Sequence, residues 1–237
     1  MLTPQDYQLL KKNSTSNISM IGFFEKHKPN KVLRIGESIM AQGTSDEDWW
    51  YMALEKPSHI DWFFEQTSHD DRFIAVIEDD ILEKIKSRFT CRWVLSCRRF
   101  YLPSNVDLAK QSLKISNLSP SNATHIFSHS NYKQYTSVKY IEDQILNGPS
   151  AGFFDGDLLA GWVLTHDDGA LGALHVLDLY RRRGIARRLV INLIEKIRAQ
   201  GLIPYTYVEE TNLASLNLIS SLGFKFDRKI HWVNLNR

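Results

Sequence analysis

Cysteine is nearly absent: only Cys91 and Cys97 occur among 237 residues. They form no C-x-x-C pair, and no nearby histidines complete a zinc set. On an extended strand the two would share a face about 20 Å apart, too far for a disulfide. A stapled scaffold and a zinc ribbon are therefore excluded, and a reduced, cytoplasmic protein with buried structural thiols is expected. Long hydrophobic runs are missing too. The longest, around Leu171–Leu177, spans about eight residues, against the roughly 20 that a bilayer crossing needs. MLTPQDYQLLKK has neither the apolar region nor the small-residue cleavage site of a signal peptide. An excess of one sign of charge is lacking too, and a net +2 creates no global field for nucleic acid or a membrane surface.

What remains is ordinary globular composition, 43% hydrophobic and 24% charged, in a chain long for one domain and comfortable for two. No internal repeat or low-complexity tract is visible. Composition shifts near Pro103–Ser112, which places a boundary between a domain at 1–110 and another at 111–237. The first opens with a helix at Pro4–Lys12. KVLRIGESIMA, WWYMAL, RFIAVIE and RWVLSCRRFYL then read as strands. Trp49, Trp50, Trp62 and Trp93 resemble a ligand cage less than core packing of a small α+β domain. No chemistry is assigned to this half.

The second part is more legible. A short strand, SLKIS, precedes SPSNATHIF, which has a Ser N-cap and Pro at the first helical position. Ser137–Asn147 is a helix stopped by Gly148-Pro149. AGFF and LLAGWVLT flank the turn Asp155-Gly156-Asp157, a hairpin signal. After Asp167-Asp168-Gly169 comes ALGALHVL, apolar at nearly every residue and so expected mid-sheet, buried on both faces. Gly184–Gln200 carries a helical stripe through Ile185, Leu189, Leu193 and Ile197. PYTYV is a strand, Asn212–Leu222 a helix capped by Asn212, and KFDRKIHWVNL two strands around a turn.

Between the mid-sheet strand and the long helix lies LDLYRRRGIARRL. A strand running into a loop that opens a helix at Gly184 aims free backbone N–H groups at one point, with the positive end of the helix dipole. That is an anion site, and Gly184 and Ala186 are small enough to admit a phosphate. Alone, R-x-x-G-x-A also fits a solvated basic helix start or a nucleic-acid patch.

In this context, LHVLDLYRRRGIARRL resembles the acyl-CoA motif Q/R-x-x-G-x-G/A of the GNAT superfamily. Asn212 followed by Gly223-Phe224 resembles its N-x(10)-G-F motif. GPSAGFF, WVLTHDDGALGALHVL and YVEETNLASLNLISSLGF are similar to the glycine N-acyltransferase-like branch, bacterial members included. The resemblance covers roughly 111–237. It implies an α+β fold, an α/β/α mixed sheet with splayed central strands, preceded by a smaller α+β domain that walls the acceptor pocket. It also implies an acyl-CoA-dependent N-acetyltransferase that passes an acyl group, most simply acetyl, to a primary amine of a small molecule. By position, the backbone of Val176 and Leu177 would pair with pantetheine. The N–H groups of Arg182, Arg183, Gly184, Ile185, Ala186 and Arg187 would take the pyrophosphate, Arg181 would hold the motif's first position, and Asn212 would touch the pantetheine arm. Acetyl-CoA is the expected co-substrate. No metal, nucleic acid or membrane is expected, and the protein would be a monomer or homodimer.

Two positions depart from the pattern. Where relatives often carry a basic glutamate, eleven residues before the motif, stands Ala170; where they often carry an acidic tyrosine, seven after the Asn, stands Ile219. Substitutes near the cleft are His175, which titrates usefully, and Glu209; Asp168 and Glu210 are further candidates, Asp168 fitting a hairpin turn better. A weak base suffices for an amine of low pKa, because positioning against a thioester contributes roughly 7–11 kcal/mol. A CoA-binding sensor without turnover is the alternative.

Overall fold

The computed structural model describes residues 1–108 and 114–237. The expected boundary at 110/111 lies outside the described residues, as do Ser112 and Leu113 of the expected strand SLKIS. Ser116 of that segment makes an isolated bridge to Gly152. By its contacts the chain forms two units: 1–99 with 208–211 and 226–237, and 100–207 with 212–225.

The first unit begins with α1 (Pro4–Lys12), whose capping box pairs Thr3 with Asp6 behind Pro4. α2 (Ile18–Lys26) leads to β1 (Pro29–Ile35), β2 (Ser38–Thr44) and β3 (Asp48–Ala53), followed by α3 (His59–Glu65), β4 (Phe73–Ile77), α4 (Asp79–Arg88) and β5 (Thr90–Tyr101). KVLRIGESIMA is not one strand. Gly36, at φ +57, turns the chain so that Ile35 pairs with Ser38 in a hairpin, and a Cβ there would meet Glu55. Trp50 is fully buried and donates its indole N–H to Asp71, while Trp62 packs against the same core. Trp49 lies against Phe73 and Trp93, so the tryptophans pack rather than cage.

The second unit holds α5 (Ala123–Ser128), α6 (Val138–Asn147), β6 (Ser150–Asp155), β7 (Leu158–Thr165), β8 (Leu171–Val176), α7 (Ile185–Ala199), β9 (Tyr205–Val208) and α8 (Leu213–Ser221). Its sheet runs β6-β7-β8-β9. Trp162 and Leu164 of β7 pack against Ile126 of α5 and Ile141 and Ile145 of α6. On the other face Gly161 faces Leu189 of α7 and Val176 of β8. This is the helix–sheet–helix layering expected, and Leu189, Leu193 and Ile194 of α7 are wholly buried.

The chain ends in one twelve-residue strand, β10 (Lys225–Asn236), not two around a turn. From Phe226 onward it belongs to the first unit, where it pairs antiparallel with β4. It bends at a bulge between His231 and Val233 instead of breaking. Each half of the chain thus runs helix, helix, three strands, helix, strand, helix, strand, a repetition of structure without repetition of sequence.

β8 departs from its expected burial. It lies between β7 and β9, yet Ala173 is exposed and Gly172, Leu174 and His175 are half-buried. The strand buried along nearly its whole length is β7. The reason is the pairing: β8 and β9 run parallel and meet only at Leu171 and Thr206 before parting. A register shift against β7 sets Val163 opposite both Ala173 and Leu174, with Ala173 at φ +49. Such a bulge leaves backbone groups unpaired beside the opening.

Candidate functional site

At the end of β8 the chain makes a short 3-10 turn, Asp178–Tyr180, and enters the exposed loop before α7. Arg182 has φ +60 and Gly184 φ +74, ψ +5, so two left-handed residues alternate within three positions. Left-handed backbone is costly for a side chain such as that of Arg182, and strain of this kind collects at functional sites. Left-handed residues this close together are the backbone pattern of nests, concavities of N–H groups able to receive an anion.

Gly184 caps α7 without a side-chain bond. The first backbone bond returned to the cap comes from Arg188 to the Gly184 carbonyl, 3.2 Å. Among the described residues, the N–H groups of Arg182, Arg183, Gly184, Ile185, Ala186 and Arg187 find no acceptor within the fold. A Cβ at Gly184 would meet nothing within 4 Å, so the nest is open. These donors lie at the positive end of a fifteen-residue helix, where negative charge is favoured.

The arginine side chains divide. Arg181 Nε donates to the Val176 carbonyl at 3.0 Å, and its guanidinium pairs with Asp178. Arg183 lies over the Tyr180 ring, and Arg187 bonds to Ser221. Arg182 is exposed and makes no ion pair among the described residues. In the first unit the loop into α3 ends instead at Ser58 in right-handed backbone, and α3 has only seven residues.

Val176 and Leu177 are placed differently from one another. Leu177 N–H is bonded to the Ala160 carbonyl of β7 at 2.9 Å. Alternation along the strand therefore turns the Val176 backbone toward the opening, where Arg181 meets its carbonyl. Asn212 accepts from Ser215 N–H at 3.1 Å as the N-cap of α8, which leaves its NH₂ to donate.

His175 pairs with Trp162 and so lies on the α5/α6 face, opposite Val176. Its ring stacks on Trp162 at 4.8 Å and 19°, with His129 at 5.8 Å. Burial, then Arg181 and His129, push its imidazole below the usual histidine range and keep it neutral near pH 7. Among the described residues, no group of three or more His, Cys, Asp or Glu is arranged to hold a metal. Glu209 follows β9 in the segment 208–211 that packs with the first unit. Together with burial, it helps to push the Cys97 thiol up to about 12, which makes that thiol inert. Ala170 and Ile219 are buried and apolar.

The residue that sequence reasoning undervalued is Asp168. It is only 2% exposed; Oδ1 accepts from Ala170 N–H at 3.0 Å and Oδ2 from the Tyr207 hydroxyl at 2.5 Å. Its turn role was legible in Asp-Asp-Gly. The tyrosine partner, 39 residues away, was not.

No helix among the described residues is long and apolar enough to cross a membrane. Residues 150–233 match the family model described as FR47-like protein. No curated protein sequence matches the chain. A Drosophila structural-genomics protein superposes with TM-score 0.81 at 16% identity, over 99% of this chain and 97% of that one. A GCN5-related N-acetyltransferase from Kribbella flavida gives TM-score 0.60 at 9% identity, over 93% and 94%. A tandem GNAT protein from the clavulanic acid biosynthesis pathway gives 0.51 at 13%, over 92% and 87%. The chain therefore carries a GNAT-like fold, with a region at 150–233 that matches the FR47-like model.

Proposed function

We propose that the protein is an acyl-CoA-dependent N-acyltransferase that acylates the primary amine of a small molecule. The observation that carries this reading is the loop at 182–187, whose N–H groups have no acceptor among the described residues and whose backbone is left-handed at Arg182 and Gly184. Acyl-CoA supplies an activated thioester when bound. The nest and the free Arg182 hold its diphosphate. The Val176 backbone, on the open edge of β8, and the Asn212 NH₂ would bond to the pantetheine arm. The bulge at Ala173 offers unpaired backbone polarity beside the parting strands, where an acyl carbonyl would be polarised.

Acetyl is the simplest acyl group, and glycine or another amino acid the acceptor to try first. The resemblance of GPSAGFF and YVEETNLASLNLISSLGF to the glycine N-acyltransferase-like branch supports that choice. A second reading, a CoA-binding regulator without turnover, is favoured by Ala170 and Ile219, since neither side chain can carry a proton.

Thiol release from acetyl-CoA over a panel of amines, with thermal-shift binding in parallel, separates the two. Amine-dependent thiol release supports the acyltransferase. Binding with no thiol across the panel supports the regulator, and no binding refutes both.

A further inference from the structure

The first unit contains a cavity of about 300 Å³, and every residue lining it belongs to that unit. The volume is at the lower end of small-molecule pockets. It equals about ten water molecules, far less than a CoA thioester fills.

The cavity lies where β3 and β4 part. These strands run parallel and pair at Trp49 with Phe73 and at Trp50 with Ile74. Met52 and Ala53 of β3 and Val76 of β4, all beyond those pairs, line the cavity. On its other edge β4 pairs Ile77 with His231 and Ile74 with Val233, which sets Ala75 and Val76 together opposite Trp232. Val76 takes up this bulge at φ +56, a conformation that a β-branched residue adopts only under constraint. Bulges and backbone strain of this kind gather beside ligand sites.

The α1–α2 connection closes over the cavity and is tied down by two arginines that line it. Arg99, 1% exposed, donates to the Thr15 and Ser16 carbonyls at 3.2 and 3.0 Å, and Arg228 donates to Ser16 Oγ at 2.7 Å. Their charges are already matched, Arg99 by Asp227 and Arg228 by Asp227 and Glu78. The remaining charge on the wall is negative. Glu37 and Glu55 line the cavity, and Glu55 Oε2 accepts the Glu37 N–H at 3.1 Å. Their lysine partners, Lys12 at 3.0 Å and Lys56 at 3.9 Å, have side chains 63% and 64% exposed and stand outside the lining. Exposed pairs of this kind hold weakly, so an entering cation displaces them at little cost. Ile39, Met52, Leu54 and Ile230 supply apolar wall.

We propose that this cavity is a binding site for a small organic ammonium ion, a short hydrocarbon body carrying one primary ammonium group. The three N–H donors of the ammonium meet Glu37 and Glu55, and the hydrocarbon covers the apolar wall. The site shares no residue with the acyl-CoA site proposed for the second unit, and it stands whether or not that unit turns over an amine.

All four methionines, Met1, Met20, Met40 and Met52, belong to the first unit, so their methyl groups report on it specifically. The test titrates the full chain, carrying ¹³C-methyl methionine and free of acetyl-CoA, with butyl-, cyclohexyl- and phenethylammonium; Met52→Leu assigns the Met52 signal. That signal should shift saturably with at least one of the three, and butyrate should not reproduce the shift. Glu37→Gln and Glu55→Gln, the latter keeping an oxygen for the Glu37 N–H, should each weaken binding about tenfold and leave the unliganded spectrum in place. Gly184→Glu should leave the titration unchanged. No saturable shift with any of the three ions, an equal response to butyrate, or full affinity in both glutamine variants overturns the site and leaves the acyltransferase reading untouched. A wild-type chain that binds the ions at Met52 but releases no thiol from acetyl-CoA supports the site and counts against that reading alone.

Discussion

Replacing Gly184 separates backbone strain from charge at the nest. Gly184 sits at φ +74, and an added Cβ would have nothing within 4 Å, so Gly184→Ala adds strain but no clash. The strain is about 1–2 kcal/mol. Gly184→Glu adds the same strain plus a carboxylate roughly 5 Å from the diphosphate. At an effective dielectric of about 20–40, that repulsion is about 2–3 kcal/mol per charge pair, a loss of affinity of at least about 100-fold. A ligand at 100 times its Kd stabilises by about 2.7 kcal/mol, and at its Kd by only about 0.4. At about 2–4 °C per kcal/mol for a chain of this size, the acetyl-CoA-induced rise in Tm falls from about 5–10 °C to about 1–2 °C. Both variants should unfold at similar temperatures without ligand, and Gly184→Ala should keep most of the ligand-induced rise. An undiminished rise in Gly184→Glu would refute the placement of the diphosphate.

Two predictions concern the first unit. Arg99 has a fully buried guanidinium bonded to Asp227, Ser19 Oγ and the carbonyls of Thr15 and Ser16. Arg99→Ala should destabilise by about 3–5 kcal/mol, and urea unfolding showing under about 1 kcal/mol would remove Arg99 as an anchor. For Asp71, burial pushes the carboxyl up, but the Ser68 N–H, the Trp50 indole, Lys31 and the Ser68 hydroxyl together hold it down at about 2. A depressed carboxylate stabilises fully above its unfolded pKa near 4 and loses that contribution as pH falls toward 2. Unfolding free energy should therefore drop by about 1 kcal/mol from this group between pH 5 and 3, and the drop should be shallower in Asp71→Asn. Equal slopes in the two proteins would count against it.

The local chemistry of the nest was readable in one dimension. A strand, a basic loop with Gly184 and Ala186, and an amphipathic helix are contiguous, so the pattern 181–187 carries its own geometry. The α7 stripe and the caps at Thr3, Ser137 and Asn212 are equally local. Three features needed the tertiary structure. Apolar periodicity reports what a strand can bury, not whether its neighbour diverges, so β8 read as enclosed although β9 leaves it after one pair. The repeated order of elements was invisible because packing conserves shape while side chains change. Likewise Tyr207 and Asp168 are 39 residues apart, and only the parallel register of β8 with β9 brings them together. The sequence by itself determined the run of backbone donors at 182–187 that the proposed anion site uses, because those donors are neighbours along the backbone. The tertiary structure decided which side chains face the opening, because that depends on pairing between strands distant in the chain.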